Sequence, residues 1–596
     1  MTQIPFIPDN APFTQEQRLW LNGYLAGLFS DAHAAGLNGN SPVAAAPVKP
    51  LTVLFGSQTG TAEGLAKKLV KDAGKFGFGP KLVDMAKYET VDLTREENLI
   101  IVTSTYGDGD PPDNAQAFWD FLKSDTAPAL PQLRYSVLAL GDTNYSAFCE
   151  FGKKCDERLE KLGARRVHPR VDCDLDYEAA AKTWSEAAFA ALSSGGESPA
   201  PAPSAPPLLA DAASSEADKQ PLPWSRKNPF PARLLKNRVL NGEGSGKEVR
   251  HYEISLAGSG LTYEAGDALG VVPANCGDLA GEILEVLGCD GEEAVKTSDG
   301  AETSLRLALT QHYEITKPSS ELLKACAERG GAGNELAALL DPARRDDLKK
   351  FLWGREVIDV IRGLEKPFMA SELVALLRKL QPRLYSISSS PKAHPDEVHL
   401  TVAAVRYDGH GRARKGVCST FLADRCADAT PVPVFVQTSH GFRLPANGDV
   451  PVIMCGPGTG IAPFRAFLEE RRATGATGKN WLFFGDQKRS TDYLYQEELE
   501  GWKTDGHLAR LDLAFSRDQA EKIYVQSRML ESAAELWSWL ERGAHFYVCG
   551  EASRMAKDVD AALHQIAQKA GGLSEEGSVE YIAKLKAAKR YQRDVY

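Results

Sequence analysis

Several common features are missing from this chain, and each absence excludes something. Its ten cysteines lie scattered at 149, 155, 173, 276, 289, 326, 418, 426, 455 and 549, with no C-x-x-C pair among them. Without such a framework the thiols are expected to be reduced, in a cytoplasmic setting, and neither zinc nor an iron–sulfur cluster is expected on this chain; no metal site is predicted. No window holds 18 or more uncharged apolar residues, so no membrane span is expected. The opening MTQIPFIPDN has no basic region and no apolar run, so it does not read as a secretory signal. The net charge is −11 and long basic tracts are missing, which makes nucleic acid an unsuitable partner. What remains is ordinary globular protein, 43% apolar and 25% charged over 596 residues. That length suggests about three or four domains.

Residues 12–30 read as a short amphipathic helix, with Thr14 and Gln17 spaced as a capping box and Leu21, Tyr24, Leu25 and Leu28 on one face. Residues 31–50 are rich in Ala, Gly, Pro and Asn, so the helix is expected to be tethered, for docking or assembly. From Leu51 the pattern becomes strand, loop, helix. LTVLF runs into Gly56-Ser57-Gln58-Thr59-Gly60-Thr61-Ala62, whose hydroxyls and bare N–H groups at a helix start suit a phosphate. No G-K-[ST] is present there, which disfavours a nucleoside triphosphate. Two more strand-to-loop units end in Thr103-Ser104-Thr105-Tyr106-Gly107-Asp108-Gly109 and Gly141-Asp142-Thr143-Asn144-Tyr145. Three loops at the carboxyl edge of a parallel sheet, two of them carrying Tyr, suit a mononucleotide with a flat ring. Asp108, Asp110 and Asp113 crowd that edge and are expected to steer a basic electron-transfer partner.

Residues 193–222 are Pro/Ala/Ser-rich without a periodic apolar face and read as a mobile linker. Short alternating strands follow, such as RHYEISLAG and YEAGDALGVVP, and predict an antiparallel barrel interrupted by a helical block at about 276–380. The barrel resumes at Arg383-Leu384-Tyr385-Ser386-Ile387-Ser388-Ser389. A cation, an aromatic and three hydroxyls in seven residues suit the pyrophosphate, ring and N5 edge of a flavin dinucleotide. Gly416-Val417-Cys418-Ser419-Thr420 opens a helix and reads as a second anion cradle. The last module begins with a buried strand running into Gly456-Pro457-Gly458-Thr459-Gly460, where glycines admit a pyrophosphate although the G-x-G-x-x-G fingerprint is absent. Strands NWLFFG, LARLDLAF and AHFYVCG alternate with helices and predict a second parallel sheet. Ser516, Arg517, Lys522 and Tyr524 supply a hydroxyl, two cations and a ring for an adenosine 2′-phosphate, favouring NADP over NAD.

Taken together, SQTGTA, STYGDGD, LGDTNYSAFC, RLYSISSS, GPGTGIAPFR, SRDQAEKIYVQ, YVCGEASRMAKDV and RYQRDVY resemble the diflavin reductases over about residues 50–596. RYQRDVY and the N-terminal LxxGYLxGL-type helix are most similar to the sulfite reductase flavoprotein branch of that family. The resemblance implies a multidomain α/β chain with a β-barrel. Residues 1–50 are an assembly segment, 51–195 a flavodoxin-like FMN domain and 196–225 a flexible linker. Residues 226–445 are an antiparallel FAD barrel with its helical insertion, and 446–596 a ferredoxin–NADP reductase-like NADP domain. FMN is expected on Ser57, Gln58, Thr59, Gly60, Thr61 and Ala62, on Ser104, Thr105, Tyr106 and Gly107, and on Leu140, Gly141, Asp142, Thr143, Asn144, Tyr145, Ser146, Ala147, Phe148 and Cys149. Tyr106 and Tyr145 would flank its ring. FAD is expected on Arg383, Leu384, Tyr385, Ser386, Thr401, Val402, Ala403, Tyr407, Gly416, Val417, Cys418 and Ser419. NADPH is expected on Ser516, Arg517, Lys522, Ile523, Tyr524, Val525, Gln526 and Asp558. Ser386, Cys549 and Asp594 are implied around hydride transfer, with Tyr596 stacked where nicotinamide must dock.

The implied path runs from NADPH to FAD to FMN and then to a siroheme and iron–sulfur haemoprotein (beta) subunit, which would reduce sulfite to sulfide for cysteine biosynthesis. A homo-oligomer through the N-terminal segment goes with it. Tyr106 stands where some sulfite reductase flavoproteins carry Gln, as in the cytochrome reductases. A free-standing diflavin reductase serving a cytochrome or other one-electron acceptor therefore stays as the alternative. A flavin-binding assembly scaffold is the third reading.

Overall fold

The computed structural model describes residues 48–57, 60–106, 109–142, 147–174, 177–193, 224–298, 300–330, 333–426, 430–439 and 441–596. The expected N-terminal helix, most of the linker, and Gln58, Thr59, Gly107, Asp108, Thr143, Asn144, Tyr145 and Ser146 lie outside these residues.

A parallel sheet comes first. Its strands are β1 (Lys49–Gly56), β2 (Phe78–Asp84), β3 (Asn98–Ser104), β4 (Arg134–Leu140), β5 (Arg165–Arg166) and β6 (Val171–Cys173). The order is β2-β1-β3-β4-β5, with β6 also on β4. Side chains alternate across a strand, so β1 feeds two cores at once. Leu51, Val53 and Phe55 pack with Ala62, Ala66, Leu69, Trp184 and Phe189, while Leu54 joins Ile101, Phe118, Leu122 and Phe151 on the other face. Burial on both faces explains why β1 is an unbroken apolar run.

The middle of the chain forms antiparallel sheets. In chain order the strands are β7 (Phe230–Ala232), β8 (Leu234–Val239), β9 (Val249–Ser255), β10 (Ala268–Val271), β11 (Ala294–Lys296), β12 (Glu302–Ser304), β13 (Arg383–Ser386), β14 (Glu397–Ala403), β15 (Arg406–Gly409), β16 (Arg412–Lys415) and β17 (Val432–Gln437). A four-stranded sheet runs β13-β10-β17-β7 and a three-stranded one β14-β9-β8. The bridge Ile387–Leu400 joins them, and both turn apolar side chains into one core of Tyr252, Ile254, Leu269, Val271, Ile387, Leu400 and Val434. Between β10 and β13 lies a helical insertion, from Gly277–Leu287 to Ala370–Leu376, whose core of Ile283, Leu309, Leu322, Ile358 and Leu373 is its own.

The last sheet is parallel, with β18 (Val452–Cys455), β19 (Asn480–Asp486), β20 (Arg510–Phe515), β21 (His545–Gly550) and β22 (Tyr591–Val595) in the order β20-β19-β18-β21-β22. Trp481 and Phe483 face one core and Leu482 and Phe484 the other. Strand β22 is the edge on which the remaining pieces converge. Among the described residues no helix is long and apolar enough to cross a membrane.

Candidate functional site

The carboxyl edge of the first sheet is built by close approach. A Cβ on Gly56 would lie 2.6 Å from Thr103 Oγ1, and one on Gly141 would lie 2.8 Å from the backbone N of Cys149. Gly60 adopts φ 90° to start the helix Thr61–Ala73. Ser57 donates its N–H to Asn114 Oδ1 at 2.8 Å, and its hydroxyl accepts the Gly60 N–H at 3.0 Å. Asn114 thus shapes the cradle without belonging to any motif. Ser104 Oγ is buried at the end of β3 with no partner among the described residues. A buried hydroxyl left open beside helix-start N–H groups fits a phosphorylated ligand. Thr105 is partly engaged, accepting the Phe151 N–H at 3.1 Å. Cys149 is internal: its thiol faces the carbonyls of Ala139 and Cys173, and burial pushes its pKa up.

Tyr106 points out of this unit. It pairs through the backbone with Asp110, and its half-buried ring lies under the Arg593 guanidinium at 5.5 Å. Arg593 also forms an ion pair with Asp113, and Lys557 one with Asp110 at 3.4 Å. The expected acidic edge is there, but the chain's own cations answer it. No spacing signalled this, since Arg593 and Asp113 are 480 residues apart.

On the other side of β22 the residues expected around hydride transfer come together. Ser386 donates its hydroxyl to Asp594 Oδ2 at 2.6 Å from 208 positions away, and the Cys549 thiol lies 3.8 Å from the same oxygen. Asp594 is opposite Cys549 in the sheet register. Burial pushes the Asp594 pKa up, and the Ser386 and Cys549 donors partly offset it. Burial, then the Asp594 charge, drives the Cys549 pKa well up, so this thiol keeps its proton and donates. Tyr596 closes the group: its N–H reaches Gly550 O at 3.0 Å and its hydroxyl lies 2.7 Å from Thr459 Oγ1. The ring remains 48% exposed, open to displacement. The glycine loop packs against the neighbouring strand β21, where a Cβ on Gly460 would fall 2.1 Å from the Cys549 carbonyl oxygen.

The other residues expected to hold a dinucleotide divide. The Tyr385 hydroxyl lies against the Cys418 thiol, and Arg383 approaches Glu314 at 3.6 Å. A Cβ on Gly416 would meet Ser419 Oγ at 2.6 Å, and that oxygen accepts the Val405 N–H at 3.1 Å. Leu384 and Tyr407 are exposed and Ala403 lies on the surface, whereas Val402 is in the core. Thr401 turns inward, its hydroxyl 2.6 Å from Tyr495. Behind it His251, His394 and His399 cluster around Arg465. Ligand atoms of His394, Glu397 and His399 come within 4.8 Å of one another. Arg465 can only donate, however, so His399 Nδ1 accepts and Nε2 carries the proton that faces Glu397. That tautomer suits a hydrogen-bond network and opposes a metal ion.

For NADPH, Arg517 and Lys522 are exposed and make no ion pair among the described residues. Unpaired cations fit a 2′-phosphate. Ser516 and Arg517 are fixed through their backbone N–H groups to Asp486 O and Gln487 O at 2.9 and 2.8 Å. Tyr524 is exposed, Val525 is buried at the start of the helix Val525–Glu531, and Gln526 donates to Asp558 at 3.1 Å.

Family models match in three consecutive stretches: flavodoxin over residues 53–184, FAD binding domain over 222–421, and oxidoreductase NAD-binding domain over 454–561. These domains equip the chain for FMN, FAD and NADPH. It is 48% identical to the sulfite reductase [NADPH] flavoprotein alpha-component of Bacillus subtilis (strain 168), covering 98% of this chain and 96% of the relative. Identity to the protein of the same name from Vibrio vulnificus (strain CMCP6) is 44%, over 100% and 96%. For that of Yersinia enterocolitica it is 42%, over 98% and 96%. With such similarity along its whole length, the chain belongs to the sulfite reductase [NADPH] flavoprotein alpha-component family.

Proposed function

We propose that this chain is the electron-input component of an NADPH-sulfite reductase, serving a siroheme and iron–sulfur haemoprotein that reduces sulfite to sulfide. The observation that carries the reading is the convergence of Ser386, Cys549 and Asp594, from three separate segments, at the strand that ends in Tyr596. When bound, the flavins take up the two electrons of a hydride together and give them out singly. The protein's part is positional and electrostatic. Ser386 and Cys549 hold the Asp594 carboxylate at one orientation. With nicotinamide at this seam, the buried Asp594 carboxylate would stabilise the positive charge that hydride donation leaves on it. Tyr596 guards the position and must leave it for nicotinamide to enter.

Arg383, Leu384, Tyr385, Ser386, Ala403, Tyr407 and Gly416–Ser419 would hold FAD. Thr401 and Val402, whose side chains are buried, would belong to that site as well. Ser57, Gly60–Ala62, Ser104–Tyr106, Leu140–Asp142 and Ala147–Cys149 would hold or shape the FMN site. Ser516, Arg517, Lys522–Gln526 and Asp558 would receive NADPH. A cytoplasmic setting agrees with cysteines that are all free, and residues 1–50 are proposed to carry self-assembly.

The test is anaerobic titration of the purified chain with NADPH, then sulfite with and without the haemoprotein. Flavin bleaching by NADPH but not NADH, followed by sulfide only when the haemoprotein is present, is expected. Bleaching without sulfide in the presence of that partner overturns the sulfite assignment and leaves a reductase for another one-electron acceptor.

A further inference from the structure

Where the FAD sheets meet the last parallel sheet, the most deeply buried part of the seam is polar. Arg465 is buried there, with Ser388, Ser389, Ser390 and His399 around it. It sits on the helix Ala462–Ala473, which continues directly from the glycine turn Gly458–Ile461. Its guanidinium faces both units at once. Toward the last unit, Nε donates to Glu498 Oε2 at 2.7 Å and Nη2 pairs with Glu469 Oε1 at 2.9 Å. Toward the FAD sheets, Nη1 donates to the Ser388 carbonyl at 2.7 Å and to His399 Nδ1 at 3.4 Å. Ser390 answers from the strand end, its N–H donating to Glu469 Oε2 at 2.9 Å and its hydroxyl to Glu470 Oε2 at 2.6 Å. Tyr495 stacks on the guanidinium at 5.1 Å, and its hydroxyl lies 2.6 Å from Thr401 Oγ1. That tyrosine is held at φ 56°, a left-handed conformation that a bulky residue keeps only where its surroundings impose it.

A buried charged network adds little net stability over an apolar seam of the same shape, and its best use is to fix geometry. A planar fork with fixed donor directions transmits orientation in a way a lysine ammonium does not. The geometry fixed here is that of the hydride step. Ser388 follows Ser386 by two residues, roughly 7 Å along the chain. Arg465 follows Gly460 by five, again roughly 7 Å, along the helix. One side chain therefore ties the strand expected to hold the flavin to the turn that packs on Cys549. A misplacement of about 1 Å between reacting groups can cost on the order of 10²-fold in rate. We infer that Arg465 is a positioning residue for hydride transfer, setting the separation of flavin and nicotinamide through Ser388 and the glycine turn. The inference rests on the proposed placing of FAD at Arg383–Ser386 and of NADPH on the last unit.

R465K keeps the charge and loses the fork. Full-length wild type, R465K, E498A and S386A, with FAD and FMN contents measured, are mixed in stopped flow with NADPH or with NADPH deuterated at the transferred position. R465K is expected to slow flavin reduction at saturating NADPH by about tenfold or more. The half-saturating NADPH concentration should not change, and the isotope effect should grow as transfer itself becomes limiting. Electron delivery from dithionite-reduced protein to ferricyanide bypasses the hydride step and should keep its wild-type rate. A parallel fall in both rates would overturn the positioning role in favour of a structural one. Wild-type reduction in R465K, with S386A slowed, overturns the role of Arg465 and leaves the hydride site standing. Wild-type reduction in both overturns the placing of flavin and nicotinamide at this seam. Should R465K lose its flavins, E498A decides, because Glu498 holds the guanidinium from its half-exposed end. E498A should slow hydride transfer severalfold with ferricyanide reduction unchanged, and wild-type transfer in it overturns the inference.

Discussion

Asp594 is a buried carboxylate answered by two neutral donors, Ser386 and Cys549. Because burial raises its pKa, it takes up a proton above the usual carboxylate range as pH falls, and the stabilising charge disappears. NADPH-driven flavin reduction, followed by stopped flow, should therefore show an acid limb. D594N should be slower by about 10²-fold and should lose that limb. A second residue-scale expectation concerns the histidines. Burial, then Arg465, holds His251 down to about 3 and His399 down to about 2, against an ordinary value near 6.5. The folded state keeps both neutral while the unfolded chain protonates them. Their contribution is thus present above about pH 6.5 and is lost as pH falls toward their folded values, at about 1.4 kcal/mol per histidine per pH unit. Urea midpoints at pH 7.5 and 5.5 should differ by more in the wild type than in a H251Q/H399Q variant. Ser386, Cys549 and Asp594 are legible because each sits in a recognisable motif. Arg593 and Asn114 are not, because each acts on a residue brought close only by folding.

Strand β22 joins two tasks through side-chain parity. Neighbouring residues of a strand face opposite ways, so Arg593 reaches Asp113 while Asp594 reaches Ser386. The loop beside it leaves no slack. G460A would place a methyl group against the Cys549 carbonyl. It should cost on the order of 1–3 kcal/mol and slow hydride transfer by shifting Cys549. A thermal midpoint measured beside the reduction rate checks both. Strands β1, β18 and β19 are readable as buried apolar runs. The helical insertion is readable only as a block, since pieces such as Val357–Ile361 and Ala370–Leu376 are too short to display a period reliably. The close approach of Gly460 follows from glycine placement, but its partner, Cys549, lies elsewhere in the chain.

For the whole molecule, the ion pairs Arg593–Asp113 and Lys557–Asp110 hold the flavodoxin unit against the NADPH-binding unit. The acidic edge expected to steer a basic acceptor is engaged internally, and becomes available when the two separate. Replacing both cations (R593Q/K557Q) should weaken docking by about 1 kcal/mol, roughly a fivefold shift toward the separated form. Reduction of an external one-electron acceptor should then rise severalfold and become less sensitive to added salt. An unchanged rate and salt profile would show that docking does not limit delivery.

The antiparallel sheets also have a consequence for biosynthesis. Strand β10 finds its partners in β13 and β17, and β7 in β17, so Ala232 must wait for Val432 and Leu269 for Tyr385. At translation rates of about 5–20 residues per second, β7 waits roughly 10–40 s on the ribosome with its edges unpaired. The flavodoxin unit has emerged complete long before, and the last sheet assembles from a contiguous stretch. The middle unit is therefore the one expected to gain most from chaperones. Substitutions along its strands should first lower soluble yield in the cell, before any change in turnover can be measured.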